Sequence, residues 1–313
     1  MFRSRQRVLL AKEESSYGSD PTPTVAANAI DAFNLKVNYT PEILERNLVK
    51  QDWSPNQPLI GKRYIELSFS VELKGSGSLG VAPRIGDLFE ACGLVEVVVA
   101  STSVTYSTYS STKSITAYVY DIPDSGNARL HNISGCRGNV NFVFKAGQIP
   151  VAEFTFHGLY AVPTDVSAPS TPTYESTVPP IVESAAFTLN GSSALVVESM
   201  NVDLGNAMET RDDINSAAGI KQMILTGRGP KGTFNPESVL AATYDVHSDW
   251  AAATARALSI VVGSAEGNKI TMTAPKVSLD SIGEDDRNGI KVDSIPFRLS
   301  RDEGNDEFVL TFE

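Results

Sequence analysis

The sequence predicts a mainly β protein of two tandem antiparallel β-sandwich or barrel domains, each with a short flanking helix, and three observations predict it. Residues 64–73 alternate: Ile65, Leu67, Phe69, Val71 and Leu73 are apolar, while Glu66, Ser68, Ser70 and Glu72 are polar. This period of two marks a strand with one buried and one wet face. The same alternation recurs at Ile115/Ala117/Val119, Val140/Phe142/Phe144, Phe154/Phe156, Ile270/Met272/Ala274 and Phe308/Leu310/Phe312. At 313 residues the chain has room for two domains of ordinary size, each with its own core.

Residues 1–30 read as an extended N-terminal arm, with 15–23 rich in Ser, Gly, Asp and Pro and little to pack against. Arg3, Arg5 and Arg7 precede only Val8, Leu9, Leu10 and Ala11, too short an apolar run for a secretory leader. No stretch approaches the roughly 18 apolar residues of a membrane span, so a cytoplasmic origin and no membrane partner are expected. The first domain covers 31–165. Within it Pro83, Ile85, Leu88, Phe89 and Cys92 fit a short helix ending near Gly93. Residues 166–180 contain Pro169, Pro172, Pro179 and Pro180 among Ser and Thr and read as a linker. The second domain covers 181–313. A helix is expected from Asn235 and Pro236 through Val239 and Leu240, and 249–258 is a third candidate.

An internal repeat ties the two domains together. Val37-Asn38 and Arg46-Asn47 are matched by Val202-Asp203 and Arg211-Asp212 at the same spacing. Lys74-Gly75 matches Lys231-Gly232, and Phe154 and Phe156 match Ile295 and Phe297. The order is kept, with deletions in the second copy.

Chemistry-bearing motifs are sparse. Gly75, Gly77 and Gly80 spell a G-x-G-x-x-G, but the preceding strand carries Glu66 and Glu72 on a wet face, and Pro83 delays any helix, so a Gly/Ser loop is expected in place of a dinucleotide site. His131, His157 and His247 are scattered, and the run Glu284, Asp285, Asp286 lacks a calcium loop's ligand spacing and reads as a solvated hairpin tip. Cys92 and Cys136 read as buried small hydrophobes. No catalytic residue, metal ligand or cofactor site is expected. The formal charge of −11 argues against a nucleic-acid binder that works by neutralising phosphates.

Lys12-Glu13, Tyr17-Gly18, Asp20 and Asn28-Ala29-Ile30 resemble the opening of tail tube proteins from siphovirus-type bacteriophages, including those of transposable Pseudomonas phages. Residues 65–77 with Pro83-Arg84-Ile85-Gly86-Asp87-Leu88 are similar to that family's strand, glycine-rich turn and helix. Lys145-Ala146-Gly147 through His157-Gly158-Leu159-Tyr160 are similar to its closing strands. The resemblance spans about residues 10–165 and implies a structural virion protein whose subunits join sheets into rings. The rings stack into the channel for DNA ejection, with tail terminator, tape measure and distal tail proteins as further partners. Two such domains per chain imply trimeric, pseudo-hexameric rings assembled in the host cytoplasm. An acidic lumen lets DNA pass, because a fixed lysine would hold a phosphate. The family's long hairpin loop implies ring-to-ring contacts at Arg46, Asp52 and Trp53, and at Arg211, Asp212 and Asp213 in the second copy. The alternatives are a tail terminator or decoration protein, and a carbohydrate-binding sandwich.

Overall fold

The computed structural model describes residues 1–110 and 113–313. Strand β1 (Phe2–Glu13) forms where the sequence suggested an arm, because Val8, Leu9, Leu10 and Ala11 are all buried, on both faces. It pairs antiparallel with β2 (Ala29–Ile30) on one edge and β7 (Ile115–Pro123) on the other. The segment after it is also packed, contrary to expectation. Glu14 is buried, and the Tyr17 hydroxyl donates to the Gly135 carbonyl at 3.0 Å. Asp20 accepts hydrogen bonds from Tyr118 and Asn132.

Strands β3 (Ala32–Leu44) and β4 (Leu59–Glu72) form a long hairpin. The other edge of β4 carries β9 (Val151–Leu159), and β9 carries β8 (Ala128–Lys145). The 18-residue β8 belongs to both layers: residues 129–136 pair with β7 and residues 137–143 with β9. It turns at Gly135, whose φ of +63° suits glycine and where a Cβ would lie 2.6 Å from the Tyr17 hydroxyl. Helix α1 (Gly86–Ala91), β5 (Leu94–Val99), β6 (Ser103–Thr108) and β10 (Thr164–Val166) complete this half. Pro83 does precede a helix, with Leu88 and Phe89 buried.

The second half runs β11 (Ala186–Leu189), β12 (Val197–Asp203), β13 (Asn206–Asp212), β14 (Ile220–Arg228), β15 (Lys231–Pro236), α2 (Val246–Ala251), β16 (Arg256–Val262), β17 (Ile270–Leu279), β18 (Gly283–Arg287), β19 (Ile290–Ser300) and β20 (Val309–Phe312). The expected helix at Asn235 and Pro236 is instead the end of β15. Pro236 pairs with Val197, and the Asn235 side chain accepts the Ser199 N–H. The helix starts later, where Asp245 caps it by accepting the Ser248 N–H at 2.9 Å. Residues 249–258, the third candidate, split between the end of α2 and the start of β16.

The two halves follow one strand order, β1-β7-β8-β9-β4-β3 and β11-β16-β17-β19-β15-β12, in the same register. Val37 faces Leu67 as Val202 faces Gly232, and those residues face Phe156 and Phe297. Phe156 and Phe297 in turn face Gly138 and Leu279, and Cys136 and Val277 close on Ile115 and Arg256. The bulges coincide as well. One lies between Phe33 and Lys36 and again between Val197 and Met200, a second between Pro41 and Ile43 and again between Ala207 and Met208.

One hydrophobic core runs through both halves, from Leu9 and Phe69 to Phe297 and Phe312. Phe89 sits at its centre, ringed by Tyr106, Phe142, Phe154 and Phe312. Strands also cross between halves, β12 along β8 and β20 along β6. The glycine-rich loop serves this junction: a Cβ on Gly75 would stand 2.1 Å from the Gly267 carbonyl oxygen, and Gly77 donates to that carbonyl. Both cysteines are buried and unpaired.

Candidate assembly surfaces

Two hairpins project from the equivalent places of the two strand orders. In the first, β3–β4, the sequence breaks its alternation at Ile43-Leu44 and again at Leu59-Ile60, so apolar side chains fall on both faces of the ribbon. Ile43 is 63% and Ile60 66% exposed, and Leu44 and Leu59 are about half exposed. A cluster of exposed apolar side chains on a two-stranded ribbon marks a contact surface. These four residues were not among those singled out from the sequence, although the broken alternation was there to be read.

The predicted residues Arg46, Asp52 and Trp53 lie in the connection at the far end of this hairpin. Trp53 is 101% exposed, and Arg46 and Asp52 are exposed beside it. The loop is shaped from within: the Arg46 carbonyl accepts from the Asn56 amide at 2.7 Å, and Asp52 accepts the Ser54 N–H at 2.9 Å. That Ser54 N–H is the main cause that holds the Asp52 carboxyl below its ordinary pKa.

The second hairpin, β13–β14, is shorter: the predicted Arg211 and Asp212 end β13, and Asp213 opens the turn beside a fully exposed Ile214. Asp213 closes the turn by accepting the Asn215 N–H, the chief cause of its lowered pKa. Unlike the first, this hairpin is already docked. Met223 and Ile220 are buried. The Tyr17 hydroxyl accepts the Met223 N–H at 2.6 Å, and Arg137 Nη1 donates to the Met223 carbonyl at 2.9 Å. Arg137 also stacks over the Tyr17 ring at 4.9 Å.

The structure does not bring the two predicted groups together; an ion pair joins the shaft of the first hairpin to the second. Lys62 Nζ on the shaft of the first hairpin lies 3.1 Å from Oδ2 of Asp212, the last residue of β13. This contact lowers the Asp212 pKa and raises that of Lys62. Beside it the Arg63 N–H reaches the Ala218 carbonyl at 3.3 Å. Arg46, Asp52 and Trp53 take no part in it and stay at the distal tip.

Other titratable clusters are internally satisfied. Glu13, Asp87 and Glu90 converge, but Lys113 Nζ sits 3.0 Å from Glu13 and 2.9 Å from Glu90. His131 bridges the Tyr39 hydroxyl and Asp121. The run Glu284, Asp285, Asp286 lies on the exposed β18–β19 hairpin. Among the described residues no helix is long and apolar enough to cross a membrane.

No curated protein matches the chain. A family model described as phage tail tube protein matches residues 4–299, nearly the whole length. That match spans both strand orders, both hairpins and the junction between them, and the β architecture agrees with it: the chain belongs to the phage tail tube protein family.

Proposed function

We propose that this chain is the major tube subunit of a long-tailed, siphovirus-type phage, whose copies close into rings that stack into the channel for DNA ejection. The family match over residues 4–299 carries this reading. The role is structural, without an enzymatic step or cofactor. Its partners are further copies of itself, with the tail terminator, tape measure and distal tail proteins at the ends, and it assembles in the host cytoplasm. The net charge of −11 suits a lumen through which DNA slides without being held.

In this reading the matched registers of the two halves reflect a duplication, with residues 31–165 and 181–313 each supplying one wedge of wall and 166–180 linking them. Three chains then make a pseudo-hexameric ring. Arg46, Asp52 and Trp53, and Arg211, Asp212 and Asp213, contribute contacts between rings. The exposed Trp53 beside charged groups supports this, since a large aromatic is a common interface anchor.

Purified protein at high concentration is expected to form rings or tubes in sedimentation and negative-stain microscopy, and a strictly monomeric species in both would contradict the reading. Arg46→Glu and Arg211→Glu, both exposed, are expected to change stability by less than about 0.5 kcal/mol yet shorten the tubes. Unchanged tube lengths for both variants would remove these residues from the contact.

A further inference from the structure

Within the chain, the second half grips the first through a contact whose two sides both recur unused. Residues 199–203 of β12 run antiparallel along residues 141–145 of β8, with Asp203 opposite Asn141 and Val202 opposite Phe142. Asn139 Nδ2 donates to Asp203 Oδ1 at 2.6 Å, and the β13–β14 hairpin continuing from β12 lies over β8 and β9. In the shared register Asn38 stands where Asp203 stands, next to Val37 in the place of Val202. Leu279 stands where Gly138 stands, so the residue after it, Asp280, occupies the place of Asn139.

Both recurring sides lack a second strand neighbour among the described residues. Among the described residues β3 pairs only with β4, and β18, which follows Asp280, pairs only with β19. Burial reflects the difference: Met200 and Val202 on the gripped strand are 2% and 0% exposed, while their counterparts Leu35 and Val37 are only partly buried. An unpaired strand edge seeks a partner strand. The chemistry of the key pair is complementary with its roles exchanged, a carboxylate at Asp203 against an amide at Asn139, and an amide at Asn38 against a carboxylate at Asp280. In the shared register Lys36 stands in the place of Asn201, and Glu284 of the acidic run in the place of Val143, the residue opposite Asn201.

We propose that the β3–β4 hairpin of a second copy of this chain docks on the β17–β19 surface. Residues 34–38 lie alongside the segment that follows Asp280, and the Asn38 amide donates to the Asp280 carboxylate. The docking partly covers Ile43, Leu59 and Ile60, whose register counterparts Met208, Ile224 and Leu225 are half-buried in the docked β13–β14 hairpin. The contact is head to tail, so each chain offers one free side of each kind, the arrangement that closes into a ring. It rests on the reading of the chain as a ring-forming tube subunit. Among the described residues of the single chain the Asn38 amide reaches Glu66 at 3.4 Å, the Asp280 carboxylate accepts from Arg298 at 2.8 Å and its carbonyl from Trp250 Nε1 at 3.1 Å, and Arg7 donates to the Leu35 carbonyl. All of these are side-chain contacts that can be exchanged for intersubunit ones.

The test uses the full-length chain, with circular dichroism to show that each variant folds. Asn38→Asp sets two carboxylates against each other and is expected to raise the concentration needed for assembly at least about tenfold. Adding Asp280→Asn to it restores an amide–carboxylate pair of the Asn139–Asp203 kind, and assembly is expected to return toward the wild-type concentration. If the wild type assembles and Asn38→Asp assembles equally well, or the double variant does no better than Asn38→Asp, the contact is overturned while the tube reading stands. A wild type that never assembles overturns both.

Discussion

Glu14→Leu is expected to destabilise the fold by about 3–5 kcal/mol, measured as a fall in the urea midpoint. The buried carboxyl of Glu14 accepts four hydrogen bonds, from Gly18 N–H at 2.7 Å, Ser114 Oγ at 2.6 Å, Thr116 Oγ1 at 2.7 Å and Gly135 N–H at 2.7 Å. Leucine fills similar space and satisfies none of them. The two hydroxyls can turn elsewhere, but the two backbone N–H groups are left buried without an acceptor, at about 1–3 kcal/mol each. The loss should spread to the second hairpin, because Gly135 and Gly18 flank Tyr17, whose hydroxyl holds the Met223 N–H. Hydrogen exchange at Met223 is therefore expected to quicken in the same variant. A midpoint shift equivalent to less than about 1 kcal/mol would show that this carboxyl is not the clasp described here.

Phe89→Ala is expected to cost about 3–5 kcal/mol and to lower one melting transition without splitting it. The ring is fully buried and contacts Tyr106 at 5.0 Å, Phe142 and Phe154 at 5.7 Å and Phe312 at 6.5 Å between centroids. Phe312 belongs to β20, in the second half of the chain, and β20 is zipped to β6 of the first half. A cavity at Phe89 thus loosens both halves together. Calorimetry of the variant checks this, and two resolved transitions, with only the first displaced, would contradict the continuous core.

The β character was legible because half-buried strands write their burial into every second residue, as Ile65, Leu67, Phe69 and Val71 do. The matched positions Val37 and Val202 occupy the same place in the two strand orders, whereas the match of Lys74-Gly75 with Lys231-Gly232 does not hold, because Gly232 stands in the place of Leu67. The helix at Pro83 could be placed because proline there precedes an apolar stripe that packs under the sheet. The same signal failed at Asn235-Pro236. An asparagine before a proline caps a helix or ends a strand equally well, and here pairing with β12 and β19 decides for the strand. Residues 15–23 looked unable to pack because their composition is polar, yet Tyr17 and Asp20 are bound through hydrogen bonds, which leave no periodic trace. The docking of β13–β14 was out of reach for the same reason, with Tyr17 and Met223 separated by 206 residues of sequence. The glycine-rich segment is the loop its composition predicts, and the close approach of two backbones that Gly75 allows there leaves no sequence signal.

Of the candidate surface, the charged residues of the long loop come from the resemblance, and Arg46, Asp52 and Trp53 are each exposed. What could not be seen was that the two hairpins differ in state. Arg211, Asp212 and Asp213 sit on a ribbon already seated on its own chain, and the apolar shaft of the first ribbon has no such seat.

A cross-section of the assembled tube at moderate resolution tests the central claim most directly. Three chains per ring are expected, arranged as six similar wedges, with the β3–β4 hairpin of each chain on the β17–β19 surface of the next and Arg211 within the wall. A true sixfold axis built from six chains, with residues 181–313 projecting outward from the channel, would contradict it.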